Sequence, residues 1–184
     1  MVENRIVFDT TVEALFVRAL NGKLPPSAKD ALKKAGLDVD SKLLPAYTFE
    51  QWKQFLAIGA KGAFPHLEPR MAHQALGRLL IDGYRNTFIG RALFPLLNLL
   101  GPRRGLDRLS RSFRSGNNYT ETRFVEVGPN TYDLWMNETT EYPEFMQGIL
   151  LEGTRDFKVD RFDVAVLEKN SDGVTFRISW KEKS

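Results

Sequence analysis

Phe162-Asp163-Val164-Ala165-Val166, then Asn170-Ser171-Asp172-Gly173, then Val174-Thr175-Phe176-Arg177-Ile178-Ser179-Trp180 is the part of the chain that decides how the rest is read. In the first and last of these stretches apolar and polar residues alternate. A period of two sets one face of a strand against a core and the other toward water. The four residues between them are turn formers that tolerate left-handed backbone. The pattern predicts a β-hairpin with Phe162, Val164, Val166, Val174, Phe176, Ile178 and Trp180 facing inward.

Working outward, Pro143 suits a first helical turn, and Phe145, Met146, Ile149 and Leu150 follow at helical spacing until Gly153. Before that helix, Phe124-Val125-Glu126-Val127, the turn Gly128-Pro129-Asn130 and Tyr132-Asp133-Leu134-Trp135-Met136 read as an earlier hairpin. Residues 119–184 thus predict β-β-α-β-β.

Upstream the period is helical. Phe8, Val12, Leu15, Phe16, Ala19 and Leu20 predict one helix, stopped by Asn21-Gly22. Pro25-Pro26-Ser27 leads into a short helix ending at Gly36, and Leu43-Leu44-Pro45 is a connector. Thr48 and Gln51 have capping-box spacing for a helix through about Ile58. Glu68-Pro69 opens a longer one with Met71, Ala75, Leu76, Leu79, Leu80 and Tyr84 on its apolar side. From Phe88 to Leu100 almost every residue is apolar, so this helix is expected to be buried on most sides, with Pro95 kinking it. Gly101-Pro102 ends it, and an arginine-rich helix runs on to about Phe113. The fold class expected is α+β: one domain over 1–184, with a helical bundle over 1–118 and a four-stranded antiparallel sheet over 119–184.

Composition narrows the chemistry. The chain has no cysteine, which excludes disulfides, thiolate metal sites and cysteine nucleophiles. Met1-Val2-Glu3-Asn4-Arg5 lacks the basic start and apolar run of a secretion signal, and no apolar run approaches the ~20 residues of a membrane span, so a cytoplasmic location is expected. Residues 1–118 carry 18 Lys+Arg against 10 Asp+Glu, and residues 119–184 carry 8 against 13. A basic helical part and an acidic sheet part can steer anionic partners or bring two copies together. His66 and His73, the two histidines, are seven residues apart, about 10 Å along a helix, which is too far for a shared metal. No phosphate-binding loop, nucleophile elbow or dinucleotide fingerprint occurs. The expectation is therefore no enzyme, no metal and no cofactor.

Two stretches carry a resemblance. Gly148-Ile149-Leu150-Leu151-Glu152-Gly153 followed by two alternating strands resembles the C-terminal signature of a superfamily. It comprises the haem-nitric-oxide-binding (H-NOX) domains, the four-vinyl-reductase domains and the TRAPP vesicle-tethering subunits. Tyr119-Thr120-Glu121-Thr122-Arg123 is similar to the H-NOX Tyr-x-Ser-x-Arg motif, with Thr122 in the serine's part. In that family these side chains hold the haem propionates, and a helix preceding them carries the histidine that ligates iron. Gly90 to Leu100 holds no histidine, so the resemblance implies a haem-free relative. The sequence also resembles a group of myxobacterial paralogues of about this length, a likeness that brings no activity with it.

The function expected is a non-enzymatic ligand-binding or signalling module. Its pocket is expected beside the kinked helix, lined by Leu93, Phe94, Leu97, Phe124 and Leu134, with Tyr119, Thr122 and Arg123 at the mouth. A small apolar or amphiphilic, lipid-like ligand suits such a lining, and a solid hydrophobic core is the competing reading. Arg104, Arg108 and Arg111 fall on one helical face and predict an anion-binding surface. The alternative function is a TRAPP-like protein–protein scaffold that forms a homodimer. Nucleic acid is not expected, since no helix-turn-helix or aromatic RNA-binding pattern is present.

Overall fold

The computed structural model describes residues 4–137 and 140–182. In chain order it contains β1 (Ile6–Phe8), α1 (Asp9–Val12) with a π-helical continuation (Glu13–Ala19), α2 (Pro26–Lys34), β2 (Ala46–Thr48), α3 (Phe49–Ala63) and α4 (Pro69–Arg85). Then follow α5 (Phe88–Ser112), a 3-10 turn (Phe113–Ser115), β3 (Thr122–Gly128), β4 (Thr131–Met136), α6 (Glu144–Gly153), β5 (Val159–Lys169) and β6 (Val174–Glu182).

The last four strands form one antiparallel sheet in the order β3-β4-β6-β5. Phe162 pairs with Trp180, Val164 with Ile178 and Val166 with Phe176, the register that the alternation requires. The turn is fixed by Asn170, whose Oδ1 accepts the N–H groups of Asp172 (2.9 Å) and Gly173 (3.2 Å). On the inner face, Phe124, Tyr132, Trp180 and Phe162 stack in a column crossing all four strands, with successive ring planes within 7° of parallel. The outer face is open and carries the two-bond Arg177–Asp133 pair, 2.9 Å in each bond.

Helix α6 lies between the sheet and α4. Gln147 spans both contacts: its amide donates to the Val164 carbonyl of β5 (2.7 Å), and its Oε1 accepts from Gln74 of α4 (2.8 Å). The two helices approach so closely that neither has room for a side chain at the crossing. A Cβ on Gly77 would stand 2.0 Å from the Phe145 carbonyl, and one on Gly148 would stand 2.1 Å from the Gln74 carbonyl. At the end of α6 the buried Glu152 carboxylate meets Arg155 and, at 3.4 Å, Arg78 of α4.

Several expectations change. The first helix starts at Asp9 and turns π-helical at Glu13, with a Leu20 N–H to Leu15 carbonyl bond of 2.9 Å. Phe8 belongs instead to β1, which pairs with β2 in a small second sheet that the sequence reading lacks. The capping box at Thr48 forms, and α3 runs on to Ala63. The inward face of α4 is set by Ala72, Leu76, Leu80 and Ile81, while Met71 is exposed. The largest correction concerns α5. Gly90, Phe94 and Leu97 are buried, but Phe88 is 90% and Leu99 84% exposed, and Ile89 and Leu96 are also open. One face packs on the body, and nothing among the described residues covers the other. Two helices meet here as expected: the backbone leaves helical geometry at Gly101 (φ 74°, ψ 177°), which ends the first of them, and not at Pro95. Among the described residues no helix is long and apolar enough to cross a membrane.

Candidate functional site

A cavity of about 90 Å³ lies where α4, α5 and α6 meet the segment 113–120. Leu80 and Ile81 of α4, Leu93 and Phe94 of α5, and Met146 and Ile149 of α6 supply an apolar lining. Met146 and Ile149 share a face at three-residue spacing, while Leu80 and Ile81, and Leu93 and Phe94, are neighbours that flank the side their helix turns to the cavity. Trp52 and Phe145 close one side with their rings edge to face at 6.0 Å.

The polar groups come from the rim. Tyr84 Oη and Ser115 Oγ share a hydrogen bond of 3.2 Å, and the Thr11 hydroxyl donates to the Gly116 carbonyl (3.1 Å). Asn117 organises the segment: its Oδ1 accepts the N–H groups of Tyr119 (3.0 Å) and Thr120 (2.8 Å), and its amide donates to the Phe113 carbonyl (3.2 Å). Tyr119 is buried with its ring 5.0 Å from Phe49 and the Arg5 guanidinium 5.5 Å away. Phe94 is held from behind by Arg85, whose guanidinium lies 4.0 Å from its ring centre and also bonds Asp156 (2.6 Å) and the Glu152 carbonyl (2.9 Å).

Of the residues expected to line a pocket, Leu93, Phe94 and Tyr119 border this cavity. Leu97 and Leu134 are fully enclosed in the hydrophobic core, and Phe124 stacks on Tyr132 at 4.7 Å. Thr122 and Arg123 point to opposite faces of the sheet, as neighbours in a strand must. Thr122 pairs with Met136 on the inner side. Arg123 is exposed on the outer side, its guanidinium 4.6 Å over Trp135. The middle place of a five-residue Tyr-x-Ser-x-Arg pattern starting at Tyr119 falls on Glu121, with Thr122 one residue further. Tyr119, Thr122 and Arg123 therefore do not converge on one ligand. The rim residues Thr11, Tyr84 and Asn117 lie outside the site that the sequence predicts, where Tyr84 counts only toward an apolar stripe.

The arginines of α5 divide. Arg103 pairs with Glu126 of β3 (3.0 Å) and Arg111 with Asp107 of its own helix (3.0 Å), while Arg114 donates to the Asn118 carbonyl (2.9 Å). Arg104 and Arg108 are exposed, and neither makes an ion pair among the described residues. His66 is exposed, and His73 is buried outside the cavity with Nδ1 2.8 Å from the Pro69 carbonyl and its ring 4.4 Å from Tyr142. The Glu141 carboxylate, then burial, raises the Tyr142 phenol above its ordinary value. Among the described residues no group of three or more His, Asp or Glu side chains is placed to hold a metal ion.

Solved structures that resemble this one include H-NOX proteins. One, from work on the mechanism of H-NOX activation, is 16% identical with a TM-score of 0.63, covering 96% of this chain and 97% of that one. An unliganded Fe(II) H-NOX protein from K. algicida is 12% identical with a TM-score of 0.60 over 94% and 96%. An oxygen-binding H-NOX domain related to soluble guanylate cyclases is 17% identical with a TM-score of 0.58 over 94% and 92%. At these identities the likeness is one of fold, and the α+β architecture is that of H-NOX domains. No curated protein matches the chain. Residues 5–181 match the family described as a protein of unknown function (DUF2378), and the chain belongs to that family.

Proposed function

We propose that the chain is a haem-free, non-enzymatic ligand-binding or signalling module whose cavity receives a small apolar molecule or the apolar end of an amphiphile. The observation that carries this reading is the cavity between α4, α5 and α6. An apolar chamber with a few hydroxyls and an amide at one rim is the usual make-up of a small-molecule site. Its volume of about 90 Å³ is below the roughly 300–1,000 Å³ of drug-sized sites and the ~150 Å³ of a cavity that takes benzene. The occupant is thus a molecule of few heavy atoms, or a chain end, with any polar group at Tyr84 and Ser115.

Haem does not suit this cavity. The cavity is far smaller than a porphyrin, residues 90–100 contain no histidine, and neither His66 nor His73 lines the chamber. The hydroxyls and amide at the rim bond one another and the backbone, which supports binding rather than acid–base chemistry. Fold likeness to an oxygen-binding domain related to soluble guanylate cyclases supports the signalling part of the reading.

Xenon under pressure, followed by NMR of methyl groups, tests the cavity. Saturable shifts confined to Ile81, Leu93 and Ile149 are expected, and Leu93→Trp, which fills the chamber from a half-buried position, should abolish them. Shifts spread over the surface, or unchanged by Leu93→Trp, would remove the basis for a ligand site. Haem reconstitution tests the rest: a Soret band at one haem per chain, lost in Tyr84→Phe or Tyr119→Phe, would overturn the haem-free reading.

A further inference from the structure

Arg91 apart, the exposed residues of α5 are apolar before the break at Gly101 and cationic after it. Phe88, Ala92, Leu96 and Leu99 recur at four- and three-residue spacing with Ile89 and Pro95 beside them, and all are exposed, opposite the buried Gly90, Phe94 and Leu97. A contiguous exposed apolar stripe on a folded chain marks an interaction surface. Beyond Gly101, which holds a positive φ of 74° in open space, the outward residues become Arg104 and Arg108. Arg91 flanks the stripe and reaches only the Asn86 carbonyl (3.2 Å). The single acid of the helix, Asp107, is already held by Arg111.

We propose that α5 docks this face onto an anionic lipid bilayer, with the apolar half in the boundary between headgroups and acyl chains and the arginines on lipid phosphates. Charge decides the occupant. Aromatic and aliphatic residues next to unneutralised arginines match a surface that is apolar beneath and negative above. A second copy of this face would bring no counter-charge to Arg91, Arg104 and Arg108, since the helix's single acid is already paired, whereas lipid phosphates supply it. The helix lies on the bilayer rather than spanning it. None of Phe88, Ile89, Ala92, Leu96 and Leu99 lines the cavity, so the bilayer and the cavity are separate sites with separate tests.

The test sediments the full chain with phosphatidylcholine vesicles, with and without roughly a third phosphatidylserine. Binding is expected to anionic vesicles, weakened by high salt. It should fall about tenfold or more in Phe88→Ser/Leu99→Ser and in Arg104→Glu/Arg108→Glu. All four side chains are exposed, so thermal melts of the variants should match the parent and exclude misfolding. Equal binding to neutral vesicles, or full binding by either variant, would overturn the proposal. So would the absence of vesicle binding together with a dimer, seen by sedimentation equilibrium, that Phe88→Ser/Leu99→Ser dissolves; the stripe would then be a protein contact.

Discussion

Helices α4 and α5 follow each other in the chain with only Asn86 and Thr87 between them, yet they are covered to very different degrees. Helix α4 meets α6 backbone to backbone across Gly77 and Gly148, locked by Gln74–Gln147 and by Arg78 and Arg155 on Glu152. The first half of α5 is strongly apolar, but it is fastened by a narrow seam of Gly90, Phe94 and Leu97 and leaves Phe88, Ile89, Leu96 and Leu99 in water. Attachment therefore follows how closely two surfaces fit, not how much apolar surface one of them owns. Small residues at a crossing allow close approach, and large ones on a free face await something outside the chain.

The largest break in this contrast should come from a single methyl group. Gly148→Ala puts Cβ 2.1 Å from the Gln74 carbonyl, where two backbones must part. A loss of about 3 kcal/mol or more is expected in urea unfolding. A loss below ~1 kcal/mol would mean that α4 and α6 are not in close contact. Next, Leu97→Ala should cost about 2–4 kcal/mol as a core deletion, while Leu99→Ala, two residues on, should stay within ~0.5 kcal/mol. Comparable losses at both positions would show that the outer face of α5 is covered.

Smaller again is Glu152→Gln. Its carboxylate is buried, but Arg78 and Arg155 are about half exposed and can turn to water, so about 1–2 kcal/mol is expected rather than the full cost of breaking a buried pair. Double-mutant cycles with Arg78→Ala and Arg155→Ala would apportion it, and zero coupling in both would remove the lock from the account. The smallest effect is a titration. Burial, then the neighbouring Glu126 carboxylate, raises the Tyr132 phenol above its ordinary 10.0, against the opposing charge of Arg103. A raised value in the folded state means a contribution to stability present below pH 10.0 and lost as pH rises through the folded value. Absorbance at alkaline pH should show two late tyrosines, Tyr132 and Tyr142, of which Tyr132 alone moves later still in Arg103→Ala. An unchanged titration in that variant would detach the second half of α5 from the sheet.

The sheet was legible because burial on one side writes itself into every second residue; Val164, Phe176 and Ile178 face where their alternation puts them. The capping box at Thr48 was equally readable, since it involves only residues three apart. Strands β1 and β2 were not, because three residues are too few to show a period and each is specified by a partner about forty residues away. The exposed stripe of α5 was misread because hydrophobicity states what a side chain prefers, not what lies beside it. At the candidate site, Leu93, Phe94 and Tyr119 were within reach of pattern reading. The lining from α4 and α6 arises from a helix crossing that no local pattern encodes. Thr122 and Arg123 were grouped by a motif although strand geometry sends them apart.

The column of Phe124, Tyr132, Trp180 and Phe162 gives the sheet an optical signature of its own. Tyr132 and Trp180 lie 5.4 Å apart with planes 3° from parallel, so their electronic transitions couple only while β4 and β6 keep register. Trp52 sits among Phe16 and Phe145 in the helices, and Trp135 lies on the outer face. Two chains, each retaining only Trp180 or only Trp52, would let fluorescence follow the sheet and the helices separately through the same melt. Because one continuous cluster of buried side chains joins both environments, the two traces should superpose.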